Sequence, residues 1–165
     1  MKVNGIEIGP NSPAKGLRTC RSETAEEQLC DDLVAKIAGT QAVVKFSQAQ
    51  AAQQTRGISD RRYRVYGTAF WFEVKAEDGK LTMSQHEFLL QELQHGALAC
   101  CGTLDDLRHL LMRLHAAFDA GLGKGRQSRL EVIDDARGWC LDRIGQWAER
   151  GYRKERPTRA ARRPR

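Results

Sequence analysis

Gly57-Ile-Ser-Asp-Arg-Arg-Tyr-Arg-Val-Tyr-Gly-Thr-Ala-Phe-Trp-Phe-Glu-Val-Lys75 is the stretch on which the fold turns. Arms at 62–66 and 69–76 are rich in β-branched and aromatic residues, and Gly67 between them reads as the turn of a hairpin. With Tyr66 and Gly67 as a two-residue turn, Val65 opposes Thr68, and counting outward sets Asp60 opposite Glu73. Successive strand side chains alternate faces. Phe70, Phe72 and Val74 therefore share one face, and Trp71, Glu73 and Lys75 share the other.

A charged pair at i and i+2 in an otherwise apolar strand needs an explanation. Two carboxylates a few ångströms apart repel each other unless a cation lies between them. Mg²⁺ takes oxygen ligands and is commonly held by one or two carboxylates. A bound ion of this kind polarises a phosphodiester and activates water. Lys75 stands where it could orient that water or neutralise a phosphate. Arg56, Arg61, Arg62 and Arg64 flank Asp60 and suit the backbone of a nucleic acid.

Working outward, residues 1–21 carry Gly, Pro, Asn and Ser and read as irregular. A helix is expected from Ser22 to about Gly39, with Leu29, Leu33, Val34 and Ile37 inward, followed by a strand at 42–46 and a polar loop at 47–56. After the hairpin come a turn at 77–80, a helix at 82–95 carrying Phe88, Leu89 and Leu93, and a buried strand at 97–101. Thr103 caps a helix to about Phe118, with Leu104, Leu107, Leu110, Leu111 and Leu114 inward. Residues 121–125 read as a glycine-rich linker. A last helix at 128–150 carries Leu130, Ile133, Cys140, Ile144 and Trp147. This order predicts an α/β layer architecture, a small mixed β-sheet flanked by helices with an extra C-terminal helix.

The net charge of +6 is concentrated at one end. From Arg150 onward the chain has eight Lys/Arg and one acid, so everything before it sums to about −1. The 151–165 tail reads as disordered and attractive to polyanions, with Arg150, Arg153 and Lys154 as candidate nucleic-acid contacts. The five cysteines are odd in number and show no C-x-x-C spacing, which suggests reduced thiols. No apolar run approaches the ~20 residues of a membrane span, and the N-terminus lacks a secretory pattern. A reducing, cytoplasmic setting and no membrane partner are expected.

The ordered set Gly57-Ile-Ser-Asp60, Phe72-Glu-Val-Lys75, Gly79-Lys-Leu-Thr-x-x-Gln85 and Leu93-x-x-Gly96 resembles the VRR-NUC domain of the PD-(D/E)xK nuclease superfamily. The resemblance runs from about Glu23 to Leu110. It implies a restriction-endonuclease-like core over 22–118, with a linker and C-terminal helix at 119–150. It further implies a Mg²⁺- or Mn²⁺-dependent DNA endonuclease acting as a homodimer on branched DNA such as Holliday junctions. Asp60 and Glu73 would bind the metal with the Val74 carbonyl as a third ligand, Lys75 would be the catalytic lysine, and Gln85 would support the site. The family's first-helix glutamate falls on Glu26, with Glu23 and Glu27 as close competitors. Ser59 stands where the family usually has proline.

Plainer readings stand beside these. Thr82-x-x-Gln85 is also a capping box, and Glu26 is also a first-turn acid favoured by the helix dipole. His86, His95, His109 and His115 share no ligand spacing. Glu131, Asp134, Asp135 and Asp142 read as a polar helix face. The rival function is a non-catalytic nucleic-acid-binding module with a nuclease-like fold.

Overall fold

The computed structural model describes residues 21–46 and 57–154, together with a small antiparallel ribbon of β1 (Lys2–Val3) and β2 (Ile6–Glu7) inside the segment read as irregular. The 47–56 loop, Arg56 and Cys20 lie outside the described residues.

Helix α1 (Glu23–Ala38) starts where Ser22 Oγ accepts the Ala25 N–H and ends at Gly39. Gly39 has φ +87° and donates its own N–H to the Ala35 carbonyl. Such a backbone favours glycine. The buried stripe is Cys30, Leu33, Val34 and Ile37, while Leu29 is exposed, contrary to expectation. A 3₁₀ turn (Thr40–Ala42) leads into β3 (Val43–Lys45).

The hairpin has the expected register. Strands β4 (Arg61–Val65) and β5 (Thr68–Val74) pair with Val65 opposite Thr68 and Arg62 opposite Trp71. Tyr66 and Gly67 both have positive φ, 53° and 70°, as a tight hairpin turn of this twist requires. A tyrosine pays for that conformation with strain. Its ring is held edge-on against His115 at 5.1 Å, with Phe118 at 5.9 Å.

Helix α2 (Met83–Gln94) carries the chain to β6 (Leu98–Gly102), which pairs parallel to β5. The result is a mixed four-stranded sheet in the order β3-β4-β5-β6, flanked by helices. One face packs on α1 and on α3 (Leu104–Lys124) through Val34, Tyr63, Phe70, Phe72, Leu107 and Leu110. The other packs on α2 through Leu81, Phe88, Leu89, Ala99, Cys101 and Trp147. Helix α4 (Arg126–Ala148) lies along α3 and β6, covering an edge that would otherwise be open to pairing.

Two sequence expectations change here. Gly121 and Gly123 are helical, and only Gly125, with φ +89°, breaks the chain, so the 121–125 linker is a one-residue corner. Leu130 is exposed, and Ala136 joins Cys140, Ile144 and Trp147 as the buried stripe of α4. Cys30, Cys100, Cys101 and Cys140 are free and buried. Burial pushes the Cys30, Cys100 and Cys101 thiols upward, which keeps them protonated. Among the described residues no helix is long and apolar enough to cross a membrane.

Candidate active site

Strand alternation carries Glu73 and Lys75 onto the face covered by α2, at the end of β5 where it meets β6. Both residues are 1% exposed. Glu73 Oε1 accepts from Lys75 Nζ at 2.6 Å and from Gln85 Nε2 at 2.5 Å. Its Oε2 accepts the Asp60 N–H at 3.4 Å, which joins the two residues that the hairpin register sets opposite. Lys75 Nζ also donates to Glu23 Oε1 at 2.5 Å. The Lys75 N–H donates to the Gly102 carbonyl at 2.8 Å, extending the β5–β6 ladder one residue past the strand.

The electrostatics follow from burial and proximity. Burial pushes the Glu73 carboxyl up, Lys75 opposes that, and Asp60 and Glu23 add to it. Asp60 is pushed up chiefly by burial, against the pull of Lys75 and Arg61. Burial alone would lower the Lys75 ammonium, but Glu73 and Glu23 outweigh it and hold it above the ordinary lysine value. The cluster is thus a protonated amine between two carboxylates, with a third acid, Asp60, at its margin.

Gln85 fulfils both of its readings at once. Its Oε1 accepts the Thr82 N–H at 2.9 Å while its backbone N–H donates to Thr82 Oγ1 at 3.2 Å, completing the capping box. The amide nitrogen remains to hold Glu73. Gly57 makes this approach possible. It has φ +78°, and a Cβ there would lie 2.0 Å from the Ser84 carbonyl oxygen. Gly57→Ala is expected to cost at least about 1–3 kcal/mol from strain alone and to push the start of α2 away from Glu73. Denaturant midpoints beside cleavage rates check this, and wild-type values for both would contradict it.

Ser59 is fully buried, and its hydroxyl donates to the Arg61 carbonyl at 3.4 Å. A local side-chain bond thereby closes the bend that proline would have stiffened.

The first-helix acid is corrected. Glu26 is buried, but its Oε2 accepts the N–H of Leu104 at 3.0 Å, so it caps the start of α3. Arg21 lies 3.5 Å from its other oxygen. The acid that reaches Lys75 is Glu23. Glu27 goes to Arg61 at 2.8 Å.

Arg61 is corrected as well. It is 8% exposed and donates through Nε to Asp31 at 3.1 and 3.2 Å, in a network that includes Tyr63 Oη and Lys45. It is committed inside the protein rather than offered to a ligand. Arg62 and Arg64 are exposed, on the sheet face of Glu73. Arg62 lies over the Trp71 ring at 5.4 Å. Arg150 donates to the Glu77 carbonyl and stacks 3.8 Å above Trp147. The tail does not start as free chain, since residues 151–154 fold back on the domain. The Arg153 N–H donates to the Leu81 carbonyl at 2.8 Å, and its guanidinium lies 3.5 Å from Glu23. Lys154 is exposed.

Among the described residues, no group of three or more His, Cys, Asp or Glu side chains is arranged as a complete metal site. The Asp60 and Glu73 carboxylates with the adjacent Val74 carbonyl are hard oxygen donors of the kind Mg²⁺ uses while keeping several waters. Burial has raised both acids, which is the condition a cation relieves. The donor set fits such an ion. Compared with family models, curated proteins and solved structures, the chain matches none.

Proposed function

We propose that this protein is a divalent-metal-dependent DNA endonuclease with a restriction-endonuclease-like core of the VRR-NUC kind. The observation that carries the reading is the placement of Asp60, Glu73 and Lys75 at one end of the hairpin, with Lys75 fully buried and charged. An ammonium is rarely buried so completely in a protein of this size without a task.

Asp60, Glu73 and the Val74 carbonyl would hold Mg²⁺ or Mn²⁺, which when bound supplies charge neutralisation at the phosphate and a more acidic water. The chain's own residues do the rest. Lys75 stays protonated and meets negative charge on the phosphate or orients the attacking water. Gln85 and the Asp60 N–H fix the Glu73 carboxylate, and Glu23 holds the amine from the other side. The net reaction adds water across a phosphodiester P–O bond. Branched DNA such as a Holliday junction is the proposed substrate, and a homodimer would supply two active sites for paired cuts. The proposed setting is the cytoplasm of a bacterial or phage-infected cell.

A non-catalytic nucleic-acid-binding module is the second reading. It is favoured by the Glu73 carboxylate, which already accepts from Lys75, Gln85 and the Asp60 N–H. Labelled four-way junction, duplex and single strand, each incubated with Mg²⁺, Mn²⁺ or EDTA, separate the two. The nuclease reading expects cutting that needs metal and is lost in Glu73→Ala. Cutting that survives EDTA, or strand binding with no cutting under either metal, would decide against it.

A further inference from the structure

Beyond α4 the chain stays on the domain as a short pinned arm. Gly151 turns at φ +78°, the Tyr152 hydroxyl lies 3.1 Å from His86 Nδ1, and the Arg153 N–H is bound to the Leu81 carbonyl. The arm brings Arg153 to an open cleft between the first turn of α1 and the turn at 76–80, beside the Glu23–Lys75 pair. Arg21, Lys80 and Arg153 rim this cleft, against the acids Glu23 and Asp78. A Cβ on Gly151 would lie 3.9 Å from Lys80 Nζ, so the lysine adjoins the arm.

The Glu23–Arg153 pair there is loose. Glu23 gives one oxygen to Lys75 and leaves the other for Arg153 at 3.5 Å. That contact is at the limit of a hydrogen bond, and the Arg153 side chain is 48% exposed. An exposed pair of this length contributes little. A guanidinium fixed through its backbone but weakly satisfied at its tip is suited to an incoming anion, and arginine's planar fork matches phosphate oxygens. The cleft is open at the surface, as a passing polymer needs.

We propose that this cleft binds the phosphodiester backbone of a nucleic-acid strand beside Lys75, with Arg153 and Lys80 as the phosphate contacts, and that the docked arm serves to place Arg153 there. This rests on the nuclease reading and specifies where the strand enters.

The test is fluorescence anisotropy of a short labelled single DNA strand with the full chain in EDTA, across a salt series. Each phosphate contact contributes about 0.7 to the slope of log K against log salt for single strands, so Arg153→Ala with Lys80→Ala should make the slope shallower by about 1.4. Arg153→Lys combined with Lys80→Ala, which keeps one of the two charges, should restore about half of that loss. The melting temperature should match wild type. An unchanged slope in the double variant overturns the proposal. Displacement of the strand by micromolar inorganic phosphate would also overturn it, by identifying a pocket for the free anion. Because binding is read without metal, its outcome is separate from that of the cutting assay. A reduced slope with no cutting under any metal keeps the cleft and removes the nuclease. Cutting with an unaltered slope does the opposite.

Discussion

Lys75→Met is expected to cut DNA cleavage severely and to destabilise the fold by about 3–5 kcal/mol at neutral pH. The second effect follows from geometry. Lys75 is 1% exposed and donates to both Glu73 and Glu23. Without the amine, a wholly buried carboxylate loses its counter-ion while Asp60 and Glu23 remain nearby. Burial already raises the Glu73 carboxyl above its unfolded value, so the native state binds protons more readily than the unfolded chain. Stability then rises as pH falls, and the variant should recover on acidification. On the alkaline side, the wild-type contribution of Lys75 is fully present below the ordinary lysine value. It is lost as pH rises through the raised one. Pairing Lys75→Met with Glu73→Gln should return most of the lost stability, because the unpaired charge is gone, yet restore no cutting. Cleavage itself should drop by about 10²–10³ or more, the usual effect of removing a preorganised charge from a transition state. Urea denaturation at two pH values beside gel cleavage provides both readouts. A single variant as stable and as active as wild type would show that no buried ion pair exists at this position.

The second large effect concerns the metal. Mg²⁺ is expected to raise the melting temperature of wild-type protein, and the rise should grow as the pH is raised above the ordinary carboxylate range. The sign comes from the raised Asp60 and Glu73 carboxyls. As pH climbs through their folded values the native state gains neighbouring negative charge and loses stability, and a cation that binds only this ionised form returns it. At a hundredfold excess over its dissociation constant the ion would add about 2.7 kcal/mol. Asp60→Asn should remove the metal-dependent part, and without metal it should be more stable than wild type at neutral pH. A shift of equal size at acidic and at neutral pH, or one retained in Asp60→Asn, would mean that Mg²⁺ acts elsewhere.

The elements most legible in the sequence are those fixed by local rules. Tyr66 and Gly67 set the hairpin register, Ser22 and Gly39 set the ends of α1, and Thr82 and Gln85 set the start of α2. Because strand periodicity is two, a correct register places Asp60, Glu73 and Lys75 without further information. Helix phase was less legible. Glu23, Glu26 and Glu27 lie within one turn of α1, and tertiary contacts decide their partners. The start of α3 claims Glu26, Arg61 claims Glu27, and Lys75 claims Glu23. Leu29 and Leu130 follow the same logic, since tertiary packing buries Cys30 and Ala136 and leaves both leucines exposed. Gly121 and Gly123 suggested a break, but two glycines cost a helix only ~2 kcal/mol. At Gly121 the Arg129 side chain lies 3.1 Å from where a Cβ would stand, closer than ordinary contact, so the glycine makes room for the next helix. The docked arm has no local signature, since the bond from Arg153 to Leu81 spans the domain.

On the nuclease reading, the end of the hairpin captures a divalent cation between Asp60 and Glu73, next to Lys75. A crystal soaked in Mn²⁺ and measured at the manganese absorption edge tests this most directly. One anomalous peak is expected in contact with both carboxylates and the Val74 carbonyl, with the Lys75 amine adjacent. Asp60 turned away from Glu73, with no peak between them, would contradict it.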